Sequence, residues 1–161
     1  MDWLLKILPR RTYKSGTGIQ WCLWRWSDAQ EPYLTRLFVF KTPWLALCLN
    51  NIKQADVGYP HDHTSAFLSI FLTGWYTERR LIKIPIDRQG RYGTELVARY
   101  FVIKRRWWNY MRACDWDAHR ILDVSPGGMW SICIMGPKVR EWNYHTPDGL
   151  VHWADFKKQQ S

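Results

Sequence analysis

Several things are missing from this 161-residue sequence, and each absence removes a class of protein. None of the four cysteines, Cys22, Cys48, Cys114 and Cys133, belongs to a C-x-x-C pair, and there is no zinc-finger or RNP-type motif. No stretch approaches the roughly 18 apolar residues of a membrane span. The opening MDWLLKILPRR is apolar for only a few residues before Pro9 and two arginines, too short and wrongly flanked for a secretory signal. No repeat and no linker divides the chain, so a single domain over residues 1–161 is expected, with 1–18 as an N-terminal extension and 137–161 as a C-terminal capping segment. Acidic residues are scarce: 14 Asp and Glu stand against 23 Lys and Arg, leaving +9. That balance favours anionic partners, yet the basic residues lie in short scattered clusters that read equally well as a solvated surface. Histidine is scarce too, with five in all.

Aromatic residues are abundant. Twelve Trp, 8 Tyr and 6 Phe exceed what a core of this size requires, so some rings are expected to line a pocket or a contact surface. Three cysteines sit inside apolar runs (WCLW, ALCLN, SICIM), where a free thiol behaves as a small core hydrophobe. A reduced, cytoplasmic protein is the expectation.

Residues 2–8 can form a short amphipathic helix closed by Pro9. Thereafter the chain reads as all-β. Seven short runs rich in aromatic and β-branched residues, 19–26, 34–40, 44–52, 64–72, 75–83, 97–104 and 129–135, are separated by Gly, Pro, Asp and Ser turn signals. Many short strands with no long helical period predict a sandwich or barrel.

The chemistry centres on Tyr59-Pro60-His61-Asp62-His63. On an extended strand His61 and His63 point to one face, where two adjacent imidazoles make a good pair of metal ligands. Two surface histidines at a strand start are the other reading. Of the remaining histidines, His119 lies in a short extended segment, and a rigid strand positions a ligand better than a loop. It is therefore the expected third ligand, while His145 and His152, in the Gly- and Pro-containing C-terminal stretch, read as surface or packing residues. By the same alternation Ser65, Phe67, Ser69 and Phe71 share the face of the histidine pair and are expected to line a substrate pocket. Tyr76 and Glu78 share a face of the next strand. If it points inward they offer a catalytic hydroxyl and acid; an outward polar face beside Arg79 and Arg80 is the alternative. Arg120 and Arg140 are candidates for gripping an anionic substrate group, as guanidinium does bidentately, though surface ion pairs fit them as well. Trp142 joins Trp130, Tyr144 and Trp153 in a C-terminal aromatic group expected to wall or cap the pocket.

The segment from His61-Asp62-His63 to Gly74, with the later His119, resembles the two-motif signature of the cupin superfamily. That signature has two His, a Glu four or five residues on, then a Gly seven residues later. Gly74 fits this spacing, but the Glu position is Phe67 and the usual Pro-x-Gly is absent before His119. The resemblance is thus to the three-histidine type, similar to the cysteine dioxygenase branch. A second resemblance, across residues 36–156, is to uncharacterised cupin-like proteins of phages and prophages; it rests on Phe40-Lys41-Thr42-Pro43-Trp44, Gly74-Trp75-Tyr76-Thr77-Glu78, Ala118-His119-Arg120-Ile121, Met135-Gly136-Pro137-Lys138, Arg140-Glu141-Trp142 and Thr146-Pro147-Asp148-Gly149.

These resemblances imply a double-stranded β-helix (jelly-roll-like) barrel in a phage-encoded protein of the host cytoplasm. They also imply a divalent transition metal on His61, His63 and His119, with iron(II) favoured and zinc, manganese or nickel as alternatives. An iron(II)-dependent oxygenase acting on a small polar or nucleotide-like molecule follows. Its competitors are a metal-free cupin that binds a small ligand or isomerises a sugar nucleotide, with Asp115, Asp117 or Glu78 orienting a histidine base, and a nucleic-acid or protein-binding module using Lys104-Arg105-Arg106-Trp107-Trp108-Asn109-Tyr110. The expected partners are a small, anionic or polar substrate and a second copy of the chain in a homodimer. Nucleic acid is the weaker candidate, and no membrane is expected.

Overall fold

Short apolar runs broken by turn residues fold, among the described residues, into eleven strands. The structure, a computed structural model, describes residues 20–27, 34–86 and 95–160. The strands are β1 (Gln20–Ser27), β2 (Leu34–Lys41), β3 (Ala46–Ile52), β4 (Phe67–Thr73), β5 (Tyr76–Ile86), β6 (Glu95–Arg105), β7 (Trp108–Met111), β8 (Asp117–Val124), β9 (Met129–Met135), β10 (Asn143–Thr146) and β11 (Gly149–His152); helix α1 (Trp153–Gln160) follows. The all-β expectation is met, and all the pairings are antiparallel. The helix anticipated over residues 2–8 lies outside the described residues, and the one helix among the described residues is C-terminal. It is too short and too polar to cross a membrane.

Two sheets matter for the site. The larger has the order β1-β2-β3-β9-β4-β7, and the smaller β6-β5-β8. Side chains from both meet between them: Phe71 of β4 and Met129 of β9 pack with Tyr76 of β5 and Ile121 of β8. Across the inner face of the larger sheet the register sets Phe38, Cys48, Cys133, Ser69 and Asn109 side by side, all buried. Cys48 and Cys133 are reduced; the Cys48 thiol donates toward Cys133 O at 3.5 Å.

Residues 61–66 are not the start of β4. Their backbone groups bond to several different segments, so simple alternation stops at Phe67. His61 is instead a single-residue splice between β8 and β10: it pairs with His119 on one side and Tyr144 on the other. His61 N donates to His119 O at 2.8 Å and His119 N donates back at 2.9 Å. On the other side Asp62 N donates to Asn143 O, and His145 N to Pro60 O. The smaller sheet thereby continues through one residue into the β10-β11 hairpin.

Gly74 closes the β4-β5 turn with φ +75°, a conformation that side chains with a Cβ rarely adopt. A Cβ there would stand 2.6 Å from Gly128 O and even closer to Ser125 Oγ. Ser125 Oγ accepts from Trp75 N and donates to Gly128 O, so neither neighbour yields cheaply. Gly74→Ala is expected to cost about 3 kcal/mol, measured as a lower urea midpoint with an unchanged m-value.

Candidate metal centre

The three histidines singled out in the sequence converge. Their ring centroids form a nearly equilateral triangle, with sides of 5.1 Å (His61–His63), 5.1 Å (His61–His119) and 5.0 Å (His63–His119), and the planes are inclined at 63–65°. One ligand nitrogen from each lies within 4.8 Å of the others. His61 comes from the splice, His63 from the loop behind it and His119 from β8. Neighbouring segments strap that loop down: Asp56 accepts from Ile121 N at 2.7 Å, and Val139 N and Gly136 N donate to Thr64 O and Ala66 O.

A buried carboxylate orients the cluster. Glu78, on the inward face of β5, is fully buried, with Oε2 2.7 Å from His119 Nδ1. Arg105 Nε donates to its Oε1 at 2.8 Å, Asn109 Nδ2 to its Oε2 at 3.2 Å, and Arg80 lies 3.5 Å away. Burial alone would raise the pKa of Glu78; hydrogen bonds from His119 and Arg105 and the charge of Arg80 hold it at about 2. An ionised carboxylate only accepts, so His119 Nδ1 is the donor and Nε2 is the nitrogen turned toward the cluster. That nitrogen lies 3.1 Å from His63 Nε2.

The donor set fits a metal ion. Two nitrogens each about 2.1 Å from one ion stand about 3.0 Å apart at a right angle and about 3.4 Å apart at the tetrahedral angle, and 3.1 Å falls between. Burial lowers the pKa of His61 to about 4, against the pull of Asp56, and burial with the neighbouring histidines takes His63 well below its ordinary value. Both rings are therefore neutral at neutral pH, the form that binds metal.

The same shifts make the metal-free protein acid-sensitive. The unfolded chain protonates these imidazoles near pH 6.5, whereas the folded chain resists, so their contribution is complete above about pH 6.5 and is lost as pH falls below it, for His61 through about 4. Glu78, depressed from about 4.5 to about 2, adds a loss over that lower window. Urea midpoints of the metal-free protein are expected to fall steadily from neutral pH to about pH 4. A flat profile would contradict the neutral histidines.

Several sequence-based assignments land elsewhere. Glu78 faces inward, but its carboxylate stands behind His119. Tyr76 is also inward, yet its hydroxyl accepts from Asn109 Nδ2 at 2.6 Å within the core, and burial and Glu78 raise its pKa well above the ordinary value. Of the four residues expected to share the histidine face, Phe67 sets its ring 4.8 Å from that of His63. Ser69 instead sits beside Cys133 in the buried inner row, Phe71 packs on Tyr76, and Ser65 is buried in the loop. Arg120 lies on the face of β8 opposite His119, with Nε 3.4 Å from Asp56 O. Arg140 pairs with Asp62, at 3.2 Å, and Asp115. Trp142 does reach the cluster, its ring 5.5 Å from His61, and it stacks on Trp153.

Asp62 was overlooked. Fully buried, it accepts from Asn143 N at 2.9 Å, pairs with Arg140 and lies 3.4 Å from His145 Nε2, clamping the C-terminal hairpin to the splice. An acid flanked by two histidines was the available signal. Asn109 and Arg105 were read only as members of a basic, aromatic segment, although both bond Glu78.

Compared with models of known protein families the chain matches none, and a search of curated proteins finds no match. Similar solved structures include two point mutants of Bacillus subtilis oxalate decarboxylase, each with TM-score 0.47 and 13% identity over 86% of this chain. This chain spans 34% of theirs, about a third of that protein's length. Another is a cupin-2 domain from Rhodospirillum rubrum, with TM-score 0.42 and 14% identity over 88% of this chain and 84% of that one. What fold and site define here is an antiparallel β protein whose three-histidine cluster could hold a metal ion.

Proposed function

We propose that the chain is a metal-binding cupin-like protein, a single double-stranded β-helix unit capped by residues 137–161, in which His61, His63 and His119 hold a divalent transition metal. The observation that carries this reading is the triangle of imidazoles with His119 Nε2 turned inward by Glu78. A carboxylate behind a histidine ligand fixes its tautomer and raises its basicity, a recurrent arrangement in metal sites. Three protein ligands leave coordination positions open, the layout of a catalytic site.

Iron(II) is the favoured ion and oxygenation of a small polar or nucleotide-like molecule the favoured reaction, since iron with open positions supplies dioxygen chemistry. Zinc, manganese or nickel would fit the same nitrogens. The chain's own residues then have distinct tasks. Glu78 holds the Nδ1 proton of His119, while Phe67 and Trp142 flank the triangle with ring walls that limit water and favour a small substrate.

The test is metal analysis of untagged protein after loading with iron(II), manganese(II), zinc(II) or nickel(II), followed by oxygen-uptake measurements on the iron form across small acids and nucleotides. Stoichiometric retention of one ion supports the site. Retention of none of the four ions would reject it, and retention without oxygen uptake would reject the oxygenase but keep the metal centre.

A further inference from the structure

Two cysteines face each other on the inner side of the larger sheet, and the metal centre makes no use of them. Cys48 of β3 and Cys133 of β9 are direct partners in the register. Both are buried, and they share one core cluster with Phe38 and Ala46. Facing residues of an antiparallel pair stand about 4.5–5.5 Å apart at Cα, inside the roughly 4.4–6.8 Å that a disulfide spans. Their side chains leave the sheet on the same side, so the sulfurs can join without moving the backbone. Cys48 Sγ already lies 3.5 Å from Cys133 O.

The surroundings are polar for a core. Cys48 Sγ lies 3.6 Å from Asn50 Oδ1, which also accepts from Arg36 Nε at 2.9 Å, and Ser69 of β4 faces Cys133 from the other side. Hydrogen bonding with Cys48, aided by the charge of Arg36, lowers the pKa of Cys133 against the effect of burial; the same thiol contact, joined by burial, raises that of Cys48. One sulfur is the readier nucleophile and the other stays a thiol, as in an attacking and a resolving cysteine.

We propose that Cys133 and Cys48 form a hydroperoxide-reactive dithiol, in which Cys133 attacks and Cys48 closes a reversible disulfide between β3 and β9. The Cys133 thiolate bonds to one oxygen of hydrogen peroxide, the O–O bond breaks, and the other oxygen leaves as hydroxide and takes up the proton that Cys133 released. The Cys48 sulfur then bonds to the Cys133 sulfur, the S–O bond breaks, and the departing oxygen leaves as water with the Cys48 proton. Two electrons pass from sulfur to peroxide, which ends as two waters. The side nearest the histidines offers the approach: Phe67 packs against the cluster that holds both cysteines, its ring lies 4.8 Å from that of His63, and both residues are partly exposed.

Peptide mapping of the untagged full chain tests the proposal, in the presence of a chelator so that bound metal takes no part. After limited hydrogen peroxide, then alkylation in denaturant, tryptic segments 42–53 and 121–138 should appear as one cross-linked species that reductant separates. Cys114, partly exposed and outside any strand, serves as the internal reference, and the cross-link should form at least about tenfold faster than Cys114 oxidises. Cys48→Ser should stop the reaction at a Cys133 sulfenic acid, trapped by a 1,3-dicarbonyl probe, with circular dichroism like wild type. Oxidation of Cys114 while the pair stays reduced would overturn the proposal in the wild-type chain alone, whether or not the variant folds. A cross-link that forms only in denaturant, or a folded Cys48→Ser chain with no adduct at Cys133, would overturn it too.

Discussion

Alanine at position 119 is expected to weaken binding of iron(II) or zinc by more than about 100-fold, beyond the 10- to 100-fold cost of losing a residue that merely supports a ligand. The substitution removes one corner of the triangle and the only one whose tautomer a carboxylate sets. His63→Ala and His61→Ala should behave similarly, each leaving two imidazoles. His145→Ala should not, because that ring bonds Asp62 and lies outside the cluster. Titration calorimetry with each ion separates the outcomes, and equal losses in His119→Ala and His145→Ala would mean that the triangle is not the site.

Glu78→Gln should produce the second large effect, and on two independent readouts. The carboxylate is the shared partner of His119, Arg105 and Arg80, with Asn109 also donating to it. Removing its charge leaves Arg80 buried with Asp117 as its remaining acidic partner. Breaking a buried pair of this sort costs about 3–5 kcal/mol, which for a chain of this length lowers the unfolding midpoint by about 10 °C. The same variant should bind metal about 10- to 100-fold more weakly, because Gln neither raises the basicity of His119 nor fixes its tautomer. Loss of stability with undiminished metal affinity would make Glu78 a structural residue only.

Much of this architecture is legible in the chain itself. The seven strands marked by β-branched and aromatic runs all exist, because each run is bounded by residues that turn the backbone. β7, β10 and β11 escape notice since four residues carry too little periodicity, and α1 does so because WADFKKQQ is mostly polar. An H-x-H spacing and a third histidine on a strand mark the histidine cluster, but strand alternation is not what brings the first pair together. His61 and His63 converge because loop hydrogen bonds hold them, and the strand assumed beneath them begins only at Phe67. Alternation along β4 does turn Phe67, Ser69 and Phe71 inward together, but of the three Phe67 is the one whose ring meets His63. The direction of Glu78 was undecidable locally: Arg79 and Arg80 beside it suggest solvent, and only the register with β8 sets it behind His119. Long-range pairing likewise claimed Arg140, through acids 78 and 25 positions earlier in the chain.

His61 joins two halves of a sheet with its main chain while offering its ring to the cluster. An ion held by that ring would act as a rivet on the backbone, since the hairpin cannot peel from β8 without carrying a donor nitrogen away. Fraying of the C-terminal segment and release of the ion then become one event. Amide exchange at His61, Asp62, His119 and His145 should slow together on loading, even though His145 is not a ligand.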